Sequence, residues 1–512
     1  MQRTTGFVPA THSDAAAPAA RPAARPGLVL RTASRIAASA RVLAARRGLA
    51  SRHAARRAAS AHTLAAIGIV GVLATGCGSP GPSLTPTPAP SAAPTAVPSS
   101  LAGPTVAPAG PIPAASIDAV ALYRQIEDDV IALRQLPAKQ RLEPTLLDEA
   151  QARVRLEAQF RAENPPAEIA ASQATLVAMG LLPAGTSLGD LYVDLLGSQV
   201  GGYYDPATKQ IYVVARTGGI GATEEVFFVH EFTHALQDQN FGLEGIQTDA
   251  IGQGDRSMAH LALVEGDAYL LMTQWMTGHL DAAGIAEIMA GNPAAQAQLD
   301  ATPPFLRDSL LLLPMQGTLF VASIWARGGW EAVDRAFGGL PDSTEQVLHA
   351  DKYAADEQPM AVPLDAAAIA GRLGAGWQAT PADTLGEFQV GSWLRARGVT
   401  GAGGGVSGDT AAAGWGGDRY ALIEGPNRAY ALVVLTTWDT PTDAAEFVTA
   451  AAEAVRGVPG ETRVVRIAPG ASTSAPGAAS VTNAGGGDVA VLFASDAAIL
   501  ETLAAAALPA NP

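Results

Sequence analysis

Cysteine is all but missing. Cys77 stands alone in 512 residues, which excludes an intramolecular disulfide and a thiolate-clustered metal site. Any metal must therefore sit on His, Asp or Glu. Lysine is absent from residues 1–76 and acid nearly so, since that stretch holds 11 Arg and only Asp14. The rest keeps 22 bases against 47 acids, a net charge near −25. So acidic a body repels nucleic acid, whose binding depends on bases that neutralise phosphates, and nucleic acid is excluded as a partner. Long apolar runs are scarce too. Leu64 to Leu73 is too short to span a bilayer, and Leu310 to Ala326 is broken by Pro314, Gln316, Gly317 and Ser323, which predicts a buried helix pair.

What is present at the N-terminus has an order. Arg46, Arg47, Arg52, Arg56 and Arg57 precede the apolar run, which ends in Ala74, Thr75, Gly76 and Cys77. Basic, then apolar, then small is the order of a signal peptide. The small residues before Cys77 resemble a bacterial lipobox, which implies lipidation of Cys77 and an extracytoplasmic protein anchored to the cell membrane. Residues 78–115 contain 11 prolines and no charge. They predict an extended tether of roughly 3 Å per residue.

The pattern turns helical near Ile117, where Val120, Tyr123, Ile126, Val130 and Leu133 recur at three- and four-residue steps. Further helices are predicted over Pro144 to Arg161, Ala167 to Met179 and Leu188 to Gly197. A hairpin follows, with strands over 200–204 and 210–214. A helix capped by Thr223 runs to Gly242, and another covers Ser257 to Gly278. Beyond residue 360, Gly-rich loops separate strands at 429–436 and 489–493, followed by helices at 443–455 and 496–506. The predicted organisation is a leader at 1–77, a tether at 78–115, a main folded domain at 116–360 and an α+β accessory module at 361–512.

The chemistry concentrates in His230-Glu231-Phe232-Thr233-His234. Residues four apart on a helix share a face, so both imidazoles can converge on one ion, and neutral imidazole suits Zn²⁺. Glu231, rotated away from the ion, is placed to take a proton from an attacking water. A histidine six residues after His234 is excluded as third ligand because Asn240 stands there. Glu265 lies mid-stripe among Met258, Leu261, Ala262, Ala268, Tyr269 and Met272 on the next helix. A buried carboxylate is costly unless paired, and a metal would pair it. A salt bridge to Arg256 or Arg307 is the bland alternative, and Asp267 and His260 point to the opposite side. Asp238, one turn beyond His234, is a candidate acceptor for its ring N–H, or else a surface carboxylate. The oxyanion candidates are His349, Tyr353, Tyr203 and Tyr204. Strand 211–214 offers an edge for substrate.

The two-histidine helix followed by Val264-Glu265-Gly266-Asp267-Ala268 resembles a gluzincin metallopeptidase. It is more narrowly similar to poorly characterised bacterial zincin-like proteins that share the segments Gly202 to Pro206 and Ser343 to His349. The resemblance covers about residues 117–360 and implies an α+β zincin fold, with a small sheet above the active helix and a helical lobe below. It also implies a Zn²⁺-dependent peptidase with ligands His230, His234 and Glu265 and catalytic residues Glu231 and His349, acting on a peptide or protein. The 31-residue spacing from His234 to Glu265 is longer than in thermolysin-like members. Two alternatives stay open: a catalytically silent envelope module, and an amidase acting on a non-protein polymer. If Cys77 carries the lipid, Cys77→Ser releases the protein from the membrane fraction or leaves it uncleaved. Unchanged lipid labelling in that variant refutes the anchor.

Overall fold

The computed structural model describes residues 64–67, 117–215, 220–246, 252–402, 405–467 and 487–508. Cys77 and the tether lie outside the described residues. The chain is mixed helix and sheet, in keeping with the α+β expectation. Strand β1 (Leu64–Ile67) comes first, then helix α1 (Ile117–Arg134) and strand β2 (Thr145–Leu147). Helices α2 (Glu149–Glu163), α3 (Pro166–Ala178) and α4 (Leu188–Gln199) lead into strands β3 (Val200–Asp205) and β4 (Gln210–Val214).

The segment from Pro144 to Arg161 is not one helix. Its first residues form β2, and Asp148 then caps α2, accepting from the Gln151 backbone at 2.7 Å while the Gln151 side chain returns to the Asp148 N–H. Strand β2 pairs parallel with β4, Leu146 opposite Val213, and β3 pairs antiparallel with β4, Gly202 opposite Val213. Asp205 shapes the hairpin turn by accepting from the Ala207 N–H and the Thr208 hydroxyl. The sheet order is β1-β3-β4-β2. Strand 211–214 is therefore interior and has no free edge for a substrate; the outer edge beyond β3 is where Leu64–Ile67 pair, Ala66 opposite Gly202.

Helix α5 (Ala222–Phe241) follows, then α6 (Gly254–His279). Gly221, not Thr223, caps α5: the Glu224 carboxylate accepts the Gly221 N–H at 2.9 Å, while Thr223 is engaged by Glu287. Two glycines let β3 lie on α5. A Cβ on Gly201 would stand 2.1 Å from the Phe227 ring, and one on Gly202 would stand 3.3 Å from Glu231 Cγ.

Helices α7 (Pro304–Leu312) and α8 (Thr318–Gly338) are joined by a π turn, Leu313–Gly317, and the turn and α8 pack on α6. Together they are long and apolar enough by composition to cross a membrane, yet half of the most apolar stretch is buried inside the protein. Helix α9 (Thr344–Leu348) leads to the last part of the chain, where α10 (Gly386–Ala396) follows strand β5 (Gln378–Ala379) and comes before the remaining strands. Strands β6 (Trp415–Glu424), β7 (Tyr430–Trp438), β8 (Glu461–Ile467) and β9 (Asp488–Ala494) form with β5 an antiparallel sheet ordered β5-β6-β7-β9-β8. Its residues alternate between two cores. Leu432, Val434, Val491 and Phe493 join the core that holds α5 and α6, while Val433, Leu435 and Leu492 pack on the other face with Leu500 and Leu503.

The π turn meets α6 backbone to backbone: a Cβ on Gly266 would stand 2.1 Å from the Gly317 carbonyl oxygen, whereas one on Gly278 meets nothing within 4 Å. Gly266→Ala should therefore destabilise the protein by more than about 2 kcal/mol, and Gly278→Ala should be neutral or stabilising by up to about 1 kcal/mol. Urea unfolding of the two variants checks the contrast.

Candidate metal centre

Helices α5 and α6 cross so that three ligand atoms meet. His230 Nε2 and His234 Nε2 are 3.0 Å apart, and Glu265 Oε2 lies 3.3 Å from the first and 3.6 Å from the second. All three side chains are buried, and together they form a group that could hold a metal ion. The i, i+4 spacing on α5 supplies the two imidazoles, and the apolar stripe of α6 carries Glu265 inward. Arg256, the bland partner for Glu265, is taken instead by Asp342.

Burial, with the like charge of His234 behind it, pushes the His230 imidazole down to about 4, so it is neutral at physiological pH. For His234 burial acts in the same direction, but the Glu265 carboxylate outweighs it and holds the imidazole above its usual value. Burial likewise works to raise Glu265, and the two histidines overcome it and hold it below the ordinary carboxylate range. Tyr269 walls the site with its ring edge-on to His230, centroids 4.6 Å apart. Among the described residues, His230 Nδ1 and Glu265 Oε1 have no hydrogen-bond partner. Glu231 is fully buried on the same helix and lies against Gly202 of β3, on the sheet side of the ligands.

The other expected residues are placed differently. Asp238 does not accept from His234. Its carboxylate takes the Tyr204 hydroxyl at 2.8 Å, the Lys209 ammonium and the Leu243 N–H, and so fastens the hairpin to the end of α5. The acceptor for His234 Nδ1 is Gln237 Oε1 at 2.8 Å. The His349 ring pairs with Glu387 at 2.8 Å and is not grouped with the ligands. Nearby, Lys352 bridges Glu345, Glu357 and Asp439, and burial pushes Glu345 up to about 8. Tyr353 donates to the Gly339 carbonyl. The residues that the sequence reading missed are Gln237, Asp267 and Arg134, which form a buried line behind His234. For Gln237 and Asp267 the signal available was a polar type inside an apolar stretch, and for Arg134 there was none.

A family model described as a domain of unknown function (DUF8575) matches residues 373–504. The match begins downstream of His230, Glu231, His234 and Glu265. No curated protein and no solved structure matches the chain.

Asp238 thus braces the hairpin rather than the ligands. Asp238→Ala should lower the unfolding free energy by about 1–3 kcal/mol through lost buried hydrogen bonds, and leave metal affinity within a few-fold of wild type. A chelator competition run beside a denaturation curve separates the two effects; a large loss of affinity in a folded variant returns Asp238 to the site.

Proposed function

We propose that the chain is a zinc-dependent metallopeptidase of the gluzincin type, tethered through Cys77 at the outer face of the cell membrane. The observation that carries the reading is the buried convergence of two imidazoles and a carboxylate beside Glu231. Donors about 2.0–2.1 Å from a tetrahedral ion stand roughly 3.3 Å from one another. The three separations here, 3.0, 3.3 and 3.6 Å, bracket that figure. Two histidines and a glutamate form a donor set that Zn²⁺ uses in catalytic sites, with a fourth position open. A cation also offsets the burial of Glu265, whose Oε1 has no other partner among the described residues.

Zn²⁺ so held supplies Lewis-acid polarisation of a carbonyl and acidification of water. The remaining work falls to the chain. The Glu231 carboxylate takes a proton from the attacking water and returns it to the nitrogen that leaves, so that water and amide become acid and amine. An extended substrate backbone belongs along the outer edge of β3, because Leu64–Ile67 pair antiparallel there and Gly202, opposite Ala66, lies against Glu231. The full burial of the ligands favours one second reading, a silent module with a structural metal. Such a module needs no proton acceptor beside its metal, and Glu231 weighs against it.

Two substitutions divide these readings. Glu231→Gln removes the base and keeps the shape, so zinc stays bound while peptide hydrolysis falls by about two to four orders of magnitude. Glu265→Gln replaces a charged ligand by a weak neutral one, so zinc affinity falls first and activity returns in part at high metal. Metal analysis coupled to a peptide-library assay reads both. A wild-type protein that binds zinc and cleaves no peptide is the silent module.

A further inference from the structure

Behind His234 lies a buried line of polar groups that ends on α1. Gln237 Oε1 is 2.8 Å from His234 Nδ1, while Gln237 Nε2 is 2.9 Å from the Val264 carbonyl oxygen and 2.8 Å from Asp267 Oδ2. A side-chain amide can face either way, but a carbonyl and a carboxylate accept and do not donate. The NH₂ end must therefore face Val264 and Asp267, which leaves the oxygen for His234. An oxygen accepts only from an N–H, so Nδ1 carries a proton, and the neutral ring presents the Nε2 lone pair toward His230 and Glu265.

Asp267 is itself held. Arg134 Nε donates to its Oδ1 at 2.8 Å and Arg134 Nη2 to its Oδ2 at 3.2 Å. The guanidinium also pairs with Asp334 at 2.8 Å and lies 4.6 Å over the Trp330 ring. Gln237, Asp267 and Arg134 are each fully buried. Arginine stays charged at any working pH and grips a carboxylate with two parallel bonds, so the far end of the line is fixed.

We propose that Gln237, oriented by Asp267 and Arg134, is a positioning residue that sets the tautomer of His234 for metal capture, which makes helix Ile117–Arg134 a permanent part of the centre rather than a removable pro-segment. The proposal rests on the reading of His230, His234 and Glu265 as metal ligands.

The test uses the full-length protein, with Zn²⁺ as the probe in competition with a chromogenic chelator, and ¹⁵N-histidine spectra as a second readout. Gln237→Met should bind zinc about 10–100-fold more weakly, and Arg134→Met should shift affinity in the same direction. In the wild type, the neutral His234 ring should carry its proton at Nδ1, and should bind zinc through Nε2. That spectrum decides the question even where a variant fails to fold. Wild-type affinity in Gln237→Met, with His234→Ala impaired, overturns the positioning role alone. Affinity unchanged by His234→Ala overturns the ligand reading and this proposal with it. A neutral wild-type His234 ring that carries its proton at Nε2 and not at Nδ1, or an active mature form that lacks residues 117–134, also overturns it.

Discussion

The Glu265 carboxylate, buried between two imidazoles, is the constraint on which the rest of the centre depends. A carboxylate removed from water costs several kcal/mol unless charge or hydrogen bonds compensate it. Here the compensation comes from α5, so α5 and α6 must cross at a fixed place and rotation. The sequence of α6 enforces the rotation through its apolar stripe, and Gly266 enforces the place by letting the Leu313–Gly317 turn press against the helix beside Glu265. A side chain at Gly266 would push α6 away from that turn and displace the carboxylate from its histidines. On the other side, glycines 201 and 202 bring β3 down onto α5, which sets Glu231 under the strand edge. Close approach on both sides turns a short motif into a site of defined depth.

The local signals carried much of this. The periodicity of α1, the turn chemistry of Asp205 to Lys209 and the motif helix with Gly242 at its end are patterns within one element, and such patterns survive folding. The errors share a different cause. Asp238 looked like the partner of His234 because it lies one turn away, yet Gln237, at i+3, faces the ring, and Asp238 turns toward a hairpin that the sequence places 34 positions from it. Thr145–Leu147 reads as helix by propensity, but pairing with β4 makes it a strand, and the same pairing covers the edge of 211–214. Arg134 gave no local hint of its part, since its partner Asp267 is 133 positions away. Partners that a buried charge finds across the chain are set by packing, and period alone does not disclose them.

The part of the chain covered by the family match bears on the centre through α6. Gly254, the first residue of that helix, donates its N–H to Asp383 at 2.8 Å, and Asp255 accepts from the Thr344 N–H and hydroxyl. Asp418 of β6 in turn accepts the N–H groups of Leu385 and Gly386 at 2.8 Å each, fixing the start of α10 beside Asp255. Helix α6 is thus held at its N-terminus from the five-stranded sheet and, past its middle, by Arg134 from α1. Glu265 lies between these two attachments. A helix gripped at a single point can pivot, and a ligand carried on it would follow. With two grips that come from distant parts of the chain, the carboxylate keeps its distance from the histidines, so the sheet bears on the geometry of the three side chains without contributing one of them.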